Sequence, residues 1–514
     1  MFGLIPKGGG KIEMDCTQLL NEKAFADGII ESKDLKTLIE NDNYSPQKRK
    51  MLEGERYYIG EHDILRKDFT CSKIAEPDEK GQEEITEFKN PNRSNHHNIN
   101  AFHGVLVNQK VSYLAGKEPT ISVKDAENNP ELKAYESILA DFADDTFNEV
   151  MQDLVTGASN KGCEYLHIYY DEKGNLHYCV VSATQCIPIY SEDDPEKLDQ
   201  LIRYYSKKEI ENGEYCLKNK VEHWTKNSVT YYEEKEGKFI STMSCPHWFT
   251  AFYMNGVLTK QEPHTWGRVP FILLKNNAKM TTDLEYIKGL IDAYDLVSSE
   301  GTNNLLDYID LYWVIKGHCG ESAKAIADKL RINRAVNVEG LDAGSVEAKQ
   351  VELPITGRLE FLKMLRRDIF HFGMGVDTDS DKFGNAPSGV SLKFQYTLLD
   401  LKAQAMAAKL RKVIKELLWF FTEDYNRKNH TSYDSSLIQV TLNKTMITND
   451  MELVTMIQNS KGIVSDKTLL GMHPFVSDVN AELEELETQE QKEQAEYEKF
   501  LKPSEAGGED ERKE

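Results

Sequence analysis

RLEFLKMLRRDIFHFGMGVDTDSDKFGNAPSGVSLKFQYTLLDLKAQAMAAKLRKVIKELLWFFTEDYNRK, residues 358–428, decides the fold. Two helical patterns flank a run of turn formers. The second pattern continues from Val390 to Lys428 with no Gly or Pro to break it. At 1.5 Å per residue such a helix is a rod on the order of 58 Å long, far beyond the usual three or four turns. A rod of that length needs a neighbour along most of it.

The joining segment, Val376 to Gly389, reads VDTDSDKFGNAPSG and has little apolar surface with which to pack. It is expected to be exposed and mobile. Asp377, Asp379 and Asp381 alternate as the oxygen ligands of a calcium loop do, but the sixth position is Lys382 instead of Gly and the twelfth is Ser388 instead of Glu. A solvated loop whose aspartates start turns is therefore the favoured reading, and no metal is expected. Asn385 or Ser388 is placed to cap the following helix, with Pro387 near its first turn.

Working outward, a second long helix begins after Thr281. Leu284, Ile287, Leu290 or Ile291, Tyr294 and Val297 form its narrow apolar stripe, continuing through Leu305 and Ile309. Asp283, Glu285, Lys288, Asp292, Asp295 and Glu300 are assigned to the opposite, solvated face. Between this helix and the one beginning near Pro354, short strand and helix patterns read as a compact α/β insert. Upstream, residues 17–58 read as short helices, 68–95 as a long polar loop, and Glu131 to Ala158 as a helical stripe. Short runs rich in β-branched and aromatic residues from Glu164 to Thr242, and again at Val269 to Leu274, read as an antiparallel sheet. Downstream, Leu437 to Asn443 reads as a strand, Asp450 to Gln458 and Asp466 to Leu470 as short helices, and the C-terminal stretch as a charged helix fraying into a disordered tail.

At 514 residues the chain is long enough for roughly three packed regions. Its 62 basic and 85 acidic side chains leave a formal charge of −23, which excludes a protein that wraps nucleic acid with a basic surface. Any contact with DNA must be loose or local. Eight cysteines without a CxxC pair indicate neither a zinc site nor a disulfide framework, so buried thiols in a reducing compartment are expected. Pro6 and the glycines around it interrupt any signal-peptide core, and no stretch is apolar enough to span a membrane, so a soluble intracellular protein is expected.

Positive signs of catalysis are absent from the sequence. It has no GxxxxGK[ST] loop, no HExxH, no GxSxG elbow and no GxGxxG turn, so neither an ATP-driven motor nor a common hydrolase or dehydrogenase is indicated. His96 and His97 point different ways on any regular element, and His371 lies on an apolar helix face, which makes structural or solvated roles the better reading. No catalytic residue, metal ligand or cofactor is assigned.

The order of these parts is specific. Tyr57-Tyr58-Ile59-Gly60, Asn98-Ile99-Asn100, Tyr113 to Lys117, Tyr165 to Gly174, Ile202 to Tyr205, His264 to Pro270, Asp283 to Asp295 and Phe383 to Leu392 follow one another as in the portal proteins of tailed bacteriophages. From about Asn43 to about Phe421 the chain resembles the SPP1 Gp6-like family. No single motif carries the likeness; their order does.

The resemblance implies an α+β portal fold with long stem and tunnel helices, an α/β clip and a mixed wing, assembled as a ring of twelve subunits at one capsid vertex. By segment it implies an N-terminal wing part at 1–281, a stem helix at 282–309, a clip at 310–353 and a second stem helix at 354–375. It further implies a tunnel loop at 376–389, a long wing helix with its following strand at 390–445, a crown at 446–500 and an acidic tail at 501–514. Double-stranded DNA would pass through the channel without sequence recognition. The terminase large subunit, head-completion adaptors, scaffold and major capsid protein are the implied partners, in the virion and, during assembly, in the host cytoplasm. The tunnel-loop residues would be Asp377, Asp379, Asp381, Lys382, Phe383 and Asn385. Leu284, Ile287, Ile291 and Tyr294 would form a stem seam between subunits, since alone they would leave an apolar stripe exposed. Arg366 and Arg367 either contact DNA in the channel or make ion pairs. The rival class is a capsid-associated or scaffold-like interaction protein without a channel; a metal-dependent hydrolase built on Asp377 to Asp381 is a third.

Overall fold

A computed structural model describes residues 10–15, 30–77, 83–90, 93–171, 173–211, 213–255, 257–307, 312–316, 345–349, 355–378, 389–444 and 450–473, with scattered positions between 476 and 492. The architecture mixes helices and antiparallel sheets, as the α+β expectation has it. It divides into two units, 1–377 with 398–445, and 378–397 with 446–514.

In the first unit, β1 (Gly10–Asp15) precedes α1 (Ser32–Asn43) and α2 (Pro46–Tyr58). The Ser45 hydroxyl caps α2 by accepting the Lys48 N–H at 3.1 Å, and Pro46 sits in the first turn, where no N–H is needed. β2 (Cys71–Pro77) and β3 (Glu83–Lys89) pair antiparallel where a long loop was expected. Then come α3 (Phe102–Ala115), β4 (Thr120–Val123), α4 (Pro130–Phe142) and α5 (Asp145–Lys161). The single stripe expected from Glu131 to Ala158 is thus two helices. Asp144 starts the second, its carboxylate accepting the Phe147 N–H at 3.1 Å.

The sheet region runs through β5 (Cys163–Tyr170), β6 (Leu176–Val181), β7 (Cys186–Tyr190), β8 (Leu198–Glu211), β9 (Glu214–Trp224), β10 (Ser228–Lys235), β11 (Lys238–Pro246), β12 (Trp248–Met254), β13 (Val257–His264) and β14 (Phe271–Lys275). Three antiparallel sheets result, ordered β11-β10-β9-β8-β7, β14-β5-β6 and β1-β12-β13. Trp224, Val229, Leu201 and Cys245 of the first pack with Tyr165, Val181 and Phe271 of the second, while Leu35 and Ile39 of α1 bury Ile202, Val221 and Tyr232. The described cysteines are free thiols.

Past the sheets lie α6 (Lys288–Asp307), β15 (Tyr312–Lys316), β16 (Ser345–Lys349), α7 (Ile355–Phe372), α8 (Gly389–Asn429) and β17 (Ile438–Thr441). β15 and β16 pair antiparallel, Val314 opposite Glu347; the remainder of the α/β insert lies outside the described residues. The rod α8 finds its neighbours in its own chain. Met406, Leu410, Ile414 and Leu417 share the largest core with Met151, Leu154 and Val155 of α5 and with the β4–β17 pair. α2 crosses α5 closely enough that a Cβ on Gly54 would lie 1.9 Å from the Asn160 carbonyl oxygen. The second unit holds the first turns of α8 together with α9 (Asp450–Ser460) and α10 (Asp466–Gly471).

Candidate functional site

α6 and α7 pack against each other in opposite directions: Ile291, near the start of α6, shares a cluster with Ile369 and Phe370, near the end of α7, while Gly301 faces Arg358. Into this root converge Tyr57 of α2 and Leu106 of α3. Leu284, Ile287 and Ile291 are at most 1% exposed, and Tyr294 is half-buried with its ring edge-on to Phe102 at 4.9 Å. Expected to be sheltered between subunits, these four are instead sheltered within one chain. A stripe read along one helix does not reveal that α2 and α3 arrive from more than 170 positions away to cover it.

The face of α6 that continues from Ile291 at every fourth residue holds an extended strap. Asp295, Ser299, Asn303 and Asp307, spaced four apart, accept the backbone N–H groups of Asn100, Asn98, His96 and Ser94, spaced two apart, at 2.7–2.9 Å. Helical rise over four residues is about 6 Å and two extended residues span nearly 7 Å, so the two periods run in step. Asn303 also donates its side-chain N–H to the His96 carbonyl at 3.0 Å. Asp295, assigned to a solvated face from sequence, is fully buried; its second oxygen lies 2.5 Å from Nδ1 of His62.

Below the root is a charged hub. Lys110, 1% exposed, reaches Oδ1 of Asn276 at 2.5 Å and Oδ2 of Asp283 at 3.2 Å. Lys402 of α8 reaches the same Asp283 oxygen at 3.1 Å and donates to the Gly373 carbonyl at 2.9 Å, satisfying an end group of α7. Burial pushes the Lys110 ammonium down to about 8 against the pull of Asp283. Burial alone would raise the Asp283 carboxyl, but Lys110 and Lys402 overcome it and hold the group well below the usual carboxylate range. One carboxylate thus ties α3, the approach to α6 and α8 together. Nothing in the sequence marks Lys110 as buried.

Beyond α7 the chain is pinned before it enters the Asp-rich segment. A Cβ on Gly375 would lie 2.1 Å from Leu106 Cδ2, so any larger residue there has to displace the buried Leu106 side chain of α3. The Gln109 side chain grips Val376 twice, donating to its carbonyl at 2.8 Å and accepting its N–H at 3.0 Å. Arg366 then holds Asp377, with Nε 3.1 Å from Oδ2 and Nη2 2.8 Å from Oδ1. Of the two roles left open for Arg366, the ion pair is therefore observed. Arg367 is exposed and bonds its neighbour Asp368 at 2.9 Å. Asp379, Asp381, Lys382, Phe383 and Asn385 lie outside the described residues. Among the described residues no group of three or more His, Cys, Asp or Glu side chains is placed to hold a metal ion, and no helix is long and apolar enough to cross a membrane.

The site is thus a braced pair of long helices, with the β15–β16 pair between them in the chain, followed by a pinned exit toward the Asp-rich segment. The sequence profile of the family described as phage portal protein, SPP1 Gp6-like, matches residues 38–496. The chain belongs to that family. It is 31% identical over 485 residues to the portal protein of Bacillus phage SPP1, covering 93% of this chain and 90% of the relative. To the portal protein of Clostridium phage phiCD119 it is 30% identical over 468 residues, covering 87% and 94%.

Proposed function

We propose that copies of this chain assemble as a twelve-membered ring around a channel at one capsid vertex, through which double-stranded DNA is packaged and later ejected. The observation that carries this reading is the family match across residues 38–496, which takes in the long helices, the insert between them and the acidic segment. α6 and α7 serve as the stem, 310–353 as the clip, 376–389 as the tunnel loop and 446–500 as the crown. The clip docks the terminase large subunit, which supplies ATP hydrolysis, and afterwards the head-completion adaptors; scaffold and major capsid protein surround the ring during assembly.

Subunit packing falls to the ends of the stem helices remote from the root. Leu305 and Leu306 of α6 and Ile355 and Leu359 of α7 are large, apolar and exposed there. A neighbouring copy covers such a strip at little cost. The charge of −23 suits a conduit, because a wall that gripped phosphates all along its length would stall the cargo. Electron microscopy of the purified protein tests the reading: rings with an axial hole are expected, and a monodisperse monomer at capsid-like salt overturns it.

A further inference from the structure

Against the acidic average of the chain, one face of the first unit is strongly basic. Two adjoining concavities, of about 740 and 430 Å³, flank the middle of α8 and share Arg268, Lys412 and Glu416. Their walls carry Lys197, Lys226, Arg268, Lys275, Lys409, Arg411, Lys412 and Lys415, against only Glu196 and Glu416. Local neutralisation is slight. Lys226 is taken up by Asp199 at 2.5 Å, and Lys412 is 3.9 Å from Glu196, but no carboxylate among the described residues lies within ion-pair distance of Arg268, Arg411 or Lys415. Glu416 is half-buried.

We propose that this groove binds the phosphate backbone of duplex DNA, as a contact additional to the tunnel segment. Three features favour a phosphate track over an acidic protein segment. Beside Arg411 and Lys415 the lining includes Ser435, Gln439 and Thr441, which carry hydroxyl and amide donors suited to phosphate oxygens, while the Ser436 hydroxyl is already donated to Asp434 at 2.7 Å. Of the aromatic rings that line the groove, Trp419 is covered by the Arg268 guanidinium at 3.7 Å, Tyr190 lies under the Lys275 ammonium at 6.0 Å and Phe271 is buried, so cations stand where an unpaired base would stack. From Lys409 to Lys415 the helix advances about 9 Å, which spans two or three phosphates of one strand at about 3.4 Å each. Flexible side chains reading phosphates alone give sequence-independent contact that breaks and re-forms as the duplex slides. This is the local contact that a chain of charge −23 requires.

The assignment rests on the conduit reading for the identity of the cargo, and its test is separable from it. Fluorescence anisotropy of a labelled mixed-sequence 30-base-pair duplex with the full-length protein reads binding at 50 and 200 mM salt. With about four phosphate contacts, affinity should fall roughly 100-fold between the two. Arg411→Glu/Lys412→Glu/Lys415→Glu should weaken binding at the lower salt at least tenfold and flatten the salt dependence, and the milder Lys412→Gln/Lys415→Gln should lie between. Lys33→Glu/Lys36→Glu, on exposed positions of α1, should leave binding unchanged. Circular dichroism confirms folding of each variant. Undiminished binding by the triple variant, or equal loss in the α1 control, overturns the proposal. So does a polyglutamate peptide that binds the groove when the duplex does not, which would assign an acidic protein partner. Electron microscopy of the same samples reads the ring independently.

Discussion

Asn100 presents both its backbone N–H and its side-chain amide to a single oxygen, Oδ1 of Asp295, each at 2.9 Å. The other oxygen of that carboxylate meets His62, so one buried group joins the strap, α6 and the turn after α2. Buried carboxylates persist only when their oxygens are answered, and here both oxygens have partners. The strap gains a register from it: with Asn100 fixed, Asn98, His96 and Ser94 fall opposite Ser299, Asn303 and Asp307 in turn.

Asp295→Ala leaves two donors of Asn100 and one ring nitrogen of His62 facing a dry gap, and should lower unfolding stability by about 3–5 kcal/mol. Ser299→Ala removes a single neutral bond and should cost about 1 kcal/mol. Urea denaturation of both variants provides the comparison. Equal small losses would mean that the strap is held by something other than this carboxylate.

Acid should weaken the fold through three histidines buried in neutral form. Burial pushes His167 down to about 3, and His103 and His247 to about 4. Between those values and about 6.5 the unfolded chain binds protons that the folded one refuses, so stability is full above about 6.5 and is lost as pH falls through the folded values. Each contributes on the order of 1–2 kcal/mol between pH 7 and pH 5. Glu164 opposes them: burial pushes its carboxyl up to about 7 despite Lys161, so its contribution is fully present below about 4.5 and is lost toward 7. Comparing variants isolates one group. His167→Phe keeps the stack on Phe271, and the Pro270 carbonyl that His167 bonds already accepts the Ile168 N–H. Its stability-versus-pH curve should be flatter than the parent's from pH 7 to 4; a parallel curve would rule out His167 as a contributor.

Much of the fold could be read from local pattern. The unbroken run from Val390 to Lys428 is α8 to within a residue at each end, and the β-rich runs from Glu164 onward became strands with shifted ends. The β12–β13 hairpin carries an equally legible signal. Asn255-Gly256 separates its two runs, and Asn255 stands at φ +51°, the left-handed conformation that such turns favour. What local pattern cannot supply is the partner across space. Asp295 looks like any acidic residue on a helix until the strap is laid beside it, and its only trace in the sequence is the polar series 295, 299, 303, 307. The same blindness misplaced the stem seam: α6 begins only at Lys288, so Leu284 and Ile287 lie in the turn before it and Leu305 is exposed, while the buried part of the expected stripe is covered by Tyr57 and Leu106. The ring therefore rests on family membership and on a different apolar strip.

That strip makes its own prediction. Leu305→Glu/Leu359→Glu changes two exposed side chains outside the root cluster, so the melting temperature of the subunit should move by no more than a few degrees. Placed against a neighbouring copy, two buried charges would be intolerable, and light scattering after size exclusion should report monomers or small oligomers where the parent gives rings. Rings of unchanged mass would show that subunits meet elsewhere.

The pinned exit after α7 bears on the Asp-rich segment that follows. Gln109 and Arg366 fix Val376 and Asp377 against α3, so the chain leaves α7 from a held point. Deleting Asp379 to Asn385 spares that anchor and should leave ring assembly intact while DNA packaging fails, measured as nuclease-protected DNA per assembled particle. Arg366→Ala releases Asp377. The pair is partly exposed, so the loss in stability should stay under about 1 kcal/mol. Packaging should nonetheless drop severalfold, because the point from which the Asp-rich segment departs is no longer held. Packaging at the parent's level in both variants would remove the segment from the mechanism, and failure of rings to form in the deletion would make it an assembly element instead.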